Sequence, residues 1–376
     1  MKHILPNAML GILGGGQLGR MFTMAARAMG YRVTVLDPDA DSPAGGVADM
    51  HIRAPYDDRM ALDRLAGTCV AITTEFENVP ARSLNYLAQH VRVSPSADSV
   101  SIAQDRIAEK RYIAGAGLAV APFLAIENEG DLDQDLRGHL PGILKLARLG
   151  YDGKGQVRVT TAQEAKAAFE QLGRKSCVLE RLLNLRTEIS VIVARTGPGE
   201  TVTFPVAENQ HEFGILDISI VPARVAPEVA ERARNMALHL AEAMDYRGVL
   251  AVEFFVLDGD DLVINEIAPR PHNSGHYTLD ACANSQFEQQ VRTLCGLPPG
   301  DARLLSPVAM VNLLGDIWRD DEPAWDKLLS LPNVKLHLYG KKTARIGRKM
   351  GHFNVLAENA DSALEQALEL KRMLRG

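Results

Sequence analysis

Short apolar runs alternate along this chain with stretches whose apolar residues recur every three or four positions. Met9 to Gly14 is an apolar run that leads into GGGQLGR. Leu18, Met21, Phe22, Ala25 and Met29 then follow helical spacing, and Gly30 supplies a stop. Tyr31 to Asp37 has the pattern of a second strand, a helix starts after Tyr56-Asp57-Asp58, and Cys69 to Thr74 is a further strand. Arg92 to Ser99 closes the series. Strand–helix–strand repetition of this kind predicts a parallel, doubly wound α/β sheet. Beyond it the spacing predicts a helix over Ser96 to Gly117 and strands at Pro141–Ala147, Cys177–Leu183 and Thr187–Arg195. Phe204 to His211 and Gly214 to Ala223 predict strand, loop and strand. Pro227–Met244, Thr278–Leu294 and Ala360–Leu374 predict helices, and Ser306 to Gly315 starts a last small lobe.

The strongest local pattern runs from Arg247 to His276. Val249 to Leu257 is apolar, β-branched and aromatic; Asp258-Gly259-Asp260-Asp261 is a turn signal; Leu262 to Ile267 returns. With Gly259 and Asp260 as a two-residue loop, Leu257 pairs with Leu262, Phe255 with Ile264 and Glu253 with Glu266. The two carboxylates then have Cβ atoms about 5 Å apart, where like charges repel. A divalent cation is the natural compensation, and oxygen-only donors completed by phosphate suit magnesium. Arg270 follows in APRPHNSGH, placed to hold anionic oxygens near such a cation. The plain alternative is a solvated hairpin.

Other constellations leave more than one reading open. Gly14, Gly16 and Gly19 match G-x-G-x-x-G, with Asp37 ending the second strand, which by itself points to a dinucleotide. Its physical content is smaller: a phosphate or sugar can approach the backbone at a helix N-terminus, or the glycines merely let a tight turn pack. TTEFENVP puts Glu75, Glu77 and Asn78 at a strand's carboxyl end, the ligand edge of an open sheet. Lys145 is a lone cation in an apolar strand and needs an anionic partner if buried. Gly150 to Gln156 (GYDGKGQ) is not a Walker loop, yet could cover phosphates with Lys154. Lys341, Lys342, Arg345, Arg348 and Lys349 cluster in a glycine-rich segment that suits a phosphate or carboxylate. Arg106 and His211 carry no signal of their own from spacing.

Composition narrows the class. The chain has 376 residues, enough for two or three lobes, with 46% hydrophobic and 23% charged residues. A net charge of −6 argues against nonspecific nucleic-acid binding. No apolar run approaches the ~18 residues of a membrane helix. MKHILPNAMLG lacks the features of an export signal, and Cys69, Cys177, Cys282 and Cys295 form no C-x-x-C pair. A cytoplasmic location with reduced thiols is the expectation.

Taken together, GGGQLGRM, TEFENVP, Lys145, GYDGKGQ, LERLL with Glu188, ENQH, the Glu253/Glu266 hairpin, NEIAPRPHNSGH and the final GKKTARIGRKMGH resemble the ATP-grasp superfamily. Within it they are most similar to the N5-carboxyaminoimidazole ribonucleotide synthetases. The resemblance covers essentially the whole chain. It implies an α/β and α+β architecture: a Rossmann-like N-terminal domain at 1–105, an ATP-grasp domain at 106–296 and a C-terminal lobe at 297–376. It implies ATP- and bicarbonate-dependent carboxylation of 5-aminoimidazole ribonucleotide through carboxyphosphate, with Mg2+. By resemblance, Arg106, Lys145 and Gly150, Tyr151, Asp152, Gly153, Lys154, Gly155 and Gln156 hold ATP phosphates. Glu180, Arg181, Leu182 and Leu183 frame adenine, and Glu188 takes the ribose. Glu253 and Glu266 bind magnesium beside Asn265, while Arg270, Lys145 and His211 act at the transferring group. Gln17, Leu18, Glu75 and Asn273 meet the ribonucleotide, whose 5′-phosphate lies on Lys341, Arg348 and Lys349. A homodimer and a transient hand-off to the mutase that uses the product belong to the same expectation. Its rivals are another ATP-grasp ligase, such as a formate-dependent glycinamide ribonucleotide transformylase, and an NAD-dependent dehydrogenase.

Overall fold

Strands buried on both faces need apolar residues at successive positions, and the first lobe supplies them. β1 (Met9–Leu13), β2 (Arg32–Leu36), β3 (Met50–Ile52), β4 (Ala71–Thr74) and β5 (Arg92–Val93) pair in parallel in the order β3-β2-β1-β4-β5. This is the expected doubly wound sheet. The computed structural model describes residues 2–150, 155–318 and 322–375. Leu13 lies opposite Thr74 across β1 and β4, so the Gly14–Gly19 turn and Glu75 leave the sheet side by side.

β6 (Phe123–Ile126), β7 (Gly142–Leu146), β8 (Gln156–Val159) and β9 (Cys177–Arg181) form an antiparallel sheet ordered β6-β9-β7-β8. Leu144 and Leu179 point toward the helix Ala162–Gln171 and pack with Ala165, Ala168 and Phe169. The period of two puts Ile143, Lys145 and Glu180 on the opposite face.

The remaining strands join one large antiparallel sheet. They are β10 (Leu185–Gly197), β11 (Glu200–Thr203), β12 (Ala207–Glu212), β13 (Ile215–Val221), β14 (Gly248–Leu257), β15 (Leu262–Ala268), β16 (Val308–Leu314), β17 (Val334–Leu338) and β18 (Lys349–Leu356). Their order is β15-β14-β10-β12-β13-β16-β18-β17, with β11 on β10. The segment after Ser306 therefore does not start a separate sheet: β16 pairs with β13. Its own core lies where Ala363, Ala367 and Leu370 of the helix Ala360–Arg375 cover Val311 and Val355.

Two expected helices are each divided. Ser96–Gly117 becomes Ala97–Ala103 and Arg106–Gly115, because Asp105 turns its side chain back to cap the amides of Ile107 and Ala108. Thr278–Leu294 becomes Thr278–Ala281 and Gln286–Leu294, the second opened by a capping box of Ser285 and Glu288.

Candidate active site

The Glu253/Glu266 pairing forms, but by a different route from the expected one. Val256 pairs with Leu262, Phe255 with Val263 and Phe254 with Ile264, one residue out of the predicted register. The amide of Leu257 donates to the carbonyl of Asp261 at 2.8 Å, so the turn holds an extra residue, with Gly259 at φ 80° and Asp260 at φ 68°. The pairs Leu257–Leu262 and Phe255–Ile264 are therefore absent. A bulge at Asn265 then takes up one residue in β15 and restores Glu253 opposite Glu266. Turn and bulge are offsetting irregularities, invisible to a count along an ideal ladder.

The Glu253 side chain is buried and that of Glu266 partly exposed, and their environments separate them. Burial and the facing Glu266 push the Glu253 carboxyl well above its ordinary range. Burial acts on Glu266 in the same sense, yet Arg106 outweighs it and holds the group ionised, with Arg106 Nη1 2.9 Å from Glu266 Oε2. His272 approaches Glu253 Oε1 at 3.3 Å, but burial and the nearby Arg270 depress the ring to about 3 and keep it neutral.

Around this pair, the β6-β9-β7-β8 sheet, the large sheet and the helix that begins at Arg106 line a cavity of about 380 Å³. It gathers Arg106, Lys145, Gln156, Glu180, Arg181, Leu182, Leu183, Glu188, His211, Glu253, Asn265, Glu266, Asn273 and Lys349 from the expected set. A second chamber of about 310 Å³ adjoins it, reached by Gly150, Glu77 and Arg270. Arg106, Glu266, His272 and Lys349 line both chambers. Gln17, Leu18, Glu75, Lys341 and Arg348 stand outside these linings. Tyr151, Asp152, Gly153 and Lys154 lie outside the described residues. Gly155 has φ 73°, and its carbonyl accepts from the Leu146 amide at the start of β8.

The anionic partner that Lys145 requires is Glu180. Glu180 Oε2 is 3.1 Å from Lys145 Nζ and 3.2 Å from Lys110 Nζ. Burial lowers the Lys145 ammonium despite Glu180, while Lys145 and Lys110 overcome burial to keep Glu180 ionised. The second oxygen of Glu180 and both polar atoms of Asn273 are buried without a partner among the described residues. Such atoms in a cavity wall are ready for a ligand's hydrogen bonds. His211 Nδ1 lies 3.2 Å from Glu188 Oε2; burial lowers its proton affinity, but Glu188, Glu253 and Glu266 raise it overall. Arg270 is held by Glu77, Nε to Oε2 at 2.6 Å.

The glycine turn is different. The Gly16 and Gly19 amides donate to the two oxygens of Glu75, the latter at 2.6 Å. Gly15 donates to Asp37 Oδ2 at 2.7 Å, and Tyr56 also donates to Asp37 Oδ2, at 2.6 Å. A Cβ on Gly16 would fall 2.6 Å from Glu75 Oε1, which is why glycine stands there. The helix N-terminus thus already holds the protein's own carboxylate.

In the basic segment, Lys341 donates to the Lys349 carbonyl at 2.7 Å, Arg348 to the Thr343 carbonyl at 2.8 Å and Lys342 to Asp41 at 2.7 Å. Of Lys341, Arg348 and Lys349, it is Lys349 that lines the two chambers.

Three family models match in chain order: the ribonucleotide synthetase preATP-grasp domain over 7–104, the ATP-grasp domain over 111–287 and the phosphoribosylaminoimidazole carboxylase C-terminal domain over 308–366. An N5-carboxyaminoimidazole ribonucleotide synthase from Bacillus subtilis is 44% identical over 366 residues, covering 96% of this chain and 95% of the relative. One from Brucella melitensis is 46% identical, over 92% and 96%.

The chain belongs to the N5-carboxyaminoimidazole ribonucleotide synthase family.

Solved structures agree with it. The N5-carboxyaminoimidazole synthetase of Staphylococcus aureus complexed with ADP has a TM-score of 0.92 at 36% identity, covering 99% of this chain and 98% of that one. The synthase of Aspergillus clavatus in complex with ADP and 5-aminoimidazole ribonucleotide has a TM-score of 0.90 at 31% identity, with 99% of each covered. Members of this family are ATP-grasp ligases, so ATP is a co-substrate. Three residues at the synthase site had not been picked out from sequence: Glu109, Lys110 and His272. Glu109 and Lys110 follow Arg106 at helical spacing, a legible signal once Arg106 is placed.

Proposed function

We propose that this chain carboxylates 5-aminoimidazole ribonucleotide on its amine, using ATP and bicarbonate and releasing ADP and phosphate, in purine biosynthesis. The observation that carries the reading is the pair of chambers sharing Arg106, Glu266, His272 and Lys349. One has the charged and apolar wall of a nucleotide site; the other is walled by Arg270 and Lys349, cations suited to bicarbonate and the ribonucleotide. The Aspergillus clavatus relative, described with ADP and 5-aminoimidazole ribonucleotide together, supports two neighbouring ligands.

Bicarbonate oxygen attacks the γ-phosphorus, the bond to the β-phosphate oxygen breaks, and ADP leaves. The resulting carboxyphosphate gives up phosphate as the ribonucleotide amine bonds to the carboxyl carbon and loses a proton. The protein's share is electrostatic and positional. Lys145 and Arg106 offset phosphate charge, and Arg270, oriented by Glu77, faces the transferring group. Glu188 takes the ribose, Arg181 to Leu183 frame the adenine, and His211 stands near the γ-phosphate. Gly150–Gln156 covers the phosphates and limits hydrolysis of carboxyphosphate. Asn273 and Lys349 meet the ribonucleotide, with Lys341 and Arg348 at its 5′-phosphate. Gln17, Leu18 and Glu75 approach it from the first lobe, Glu75 also holding the turn.

Magnesium fits the donor set. Glu253, Glu266 and Asn265 offer oxygen, and the raised Glu253 carboxyl is what a cation between the pair would relieve. No group of three or more His, Cys, Asp or Glu side chains suited to a metal occurs among the described residues, so phosphate oxygens would complete the shell. Bound there, the ion would neutralise charge on the ATP phosphates.

The same reading takes residues 1–105, 106–296 and 297–376 as three domains. It also includes a homodimer, a cytoplasmic location and delivery of the product to a mutase. No helix among the described residues is long and apolar enough to cross a membrane. The test is phosphate release from ATP with magnesium and bicarbonate, with and without the ribonucleotide. Stimulation that needs bicarbonate supports the carboxylase; equal stimulation by formate would turn the reading to a formate-dependent transformylase.

A further inference from the structure

β15 is an edge strand of the large sheet, and its outer backbone groups need partners from elsewhere. The helix Arg106–Gly115 supplies them around one residue. Glu109 Oε1 accepts from the Ile267 amide at 2.6 Å, and Lys110 Nζ donates to the Asn265 carbonyl at 3.4 Å. Between these two contacts stands Glu266, whose carboxylate is held by Arg106 from the same helix. Glu109 and Lys110 are 2% and 1% exposed, and Lys110 is also paired with Glu180 at 3.2 Å.

The bulge at Asn265 is what such a grip would hold. In the outer half of the hairpin the pairs run Val256–Leu262, Phe255–Val263 and Phe254–Ile264. Continued without the bulge, that register sets Asn265 opposite Glu253 and turns Glu266 to the other face. We infer that Glu109 and Lys110 are positioning residues: by gripping the backbone on either side of Glu266 they pin the bulge and keep Glu253 and Glu266 face to face. Glu109 also lines the second chamber, but for both residues the contact that matters here is with the backbone of β15. Their effect passes through the carboxylate pair, so the inference rests on that pair's reading as the magnesium site.

The experiment is a Mn2+ titration followed by electron paramagnetic resonance, on the full chain saturated with ADP. Glu109→Leu removes the acceptor, Glu109→Gln keeps it, and Glu266→Gln is the reference for the metal reading. Expected is a loss of Mn2+ affinity of about tenfold or more in Glu109→Leu. Glu109→Gln should bind like the wild type. Binding of ADP without metal, measured by calorimetry, should be unchanged in both, because Glu109 stands outside the nucleotide chamber, a separation that general loosening of the fold would not give. If Glu109→Leu does not fold, Glu109→Asp, one methylene short of the Ile267 amide, takes its place with the same expected loss. Wild-type Mn2+ affinity in Glu109→Leu or its substitute, beside a weakened Glu266→Gln, would overturn the grip and leave the metal site standing. Wild-type affinity in Glu266→Gln would overturn both. Equal losses of Mn2+ and metal-free ADP affinity in Glu109→Leu would make the residue structural and overturn the positioning role.

Discussion

Two glutamate sites in this molecule are built from the same group and serve opposite ends. At the glycine turn, burial raises the Glu75 carboxyl, and the Gly19 and Gly16 amides offset part of that rise. Its oxygens are spoken for, and it stands outside both chambers. At the hairpin, Glu253 faces Glu266 with too little positive charge to settle both, and the pair lines the cavity. A carboxylate satisfied by its own backbone completes a fold; a carboxylate pair left under-compensated beside a cavity marks chemistry. The G-x-G-x-x-G pattern, the more familiar of the two in sequence, has two of its amides taken up by a carboxylate of the protein itself.

Substitution should widen that contrast. Glu266→Gln should lower ribonucleotide-stimulated phosphate release by about 100-fold or more, with circular dichroism and melting temperature near wild type. Ordinary turnover with ordinary magnesium dependence would remove the metal assignment. Glu75→Ala should do the reverse, costing about 2–4 kcal/mol of stability by stranding two buried amides while leaving KM for ATP in place. Denaturant unfolding and steady-state kinetics on the same preparation read both effects. Arg348→Ala should raise KM for the ribonucleotide by about tenfold and that for ATP far less; parallel changes would contradict its place at the 5′-phosphate.

The smallest effect concerns a second polar cluster. The His352 ring stacks between His337 and His276, with centroids 4.6 and 4.8 Å away, and burial holds His276 and His352 neutral, far below their ordinary range. A base depressed in the folded state contributes stability that is complete above its unfolded value near 6.5 and is lost as pH falls below it. Each such histidine should cost about 1.4 kcal/mol per pH unit on the acid side. In His352→Phe the acid slope of unfolding stability should lose one proton's worth; an unchanged slope would mean the ring takes no part.

The parallel sheet was legible because its strands announce themselves as continuous apolar runs, and the hairpin because of its turn signal. What escaped the sequence were local irregularities that tertiary contacts decide. The turn at Asp258–Asp261 and the bulge at Asn265 cancel, so the Glu253–Glu266 pairing could be expected for a reason that the outer register does not honour. The breaks at Asp105 and Ser285 are capping chemistry and could have been read from their side chains. Arg106 looked like a surface charge on spacing alone, since only the packing of its helix against β15 brings it to Glu266. Glu75 was expected from its strand end, but its hold on the Gly16 and Gly19 amides depends on the neighbouring strand and could not be read from the sequence.

Hydrogen exchange followed peptide by peptide, with and without ADP and magnesium, tests the contrast most directly. The account predicts slowed exchange in β7, β9 and the β14–β15 hairpin, and no change at the Gly14–Gly19 turn. Protection of that turn, with the hairpin unaffected, would place the nucleotide on the first lobe and contradict the assignment of the site.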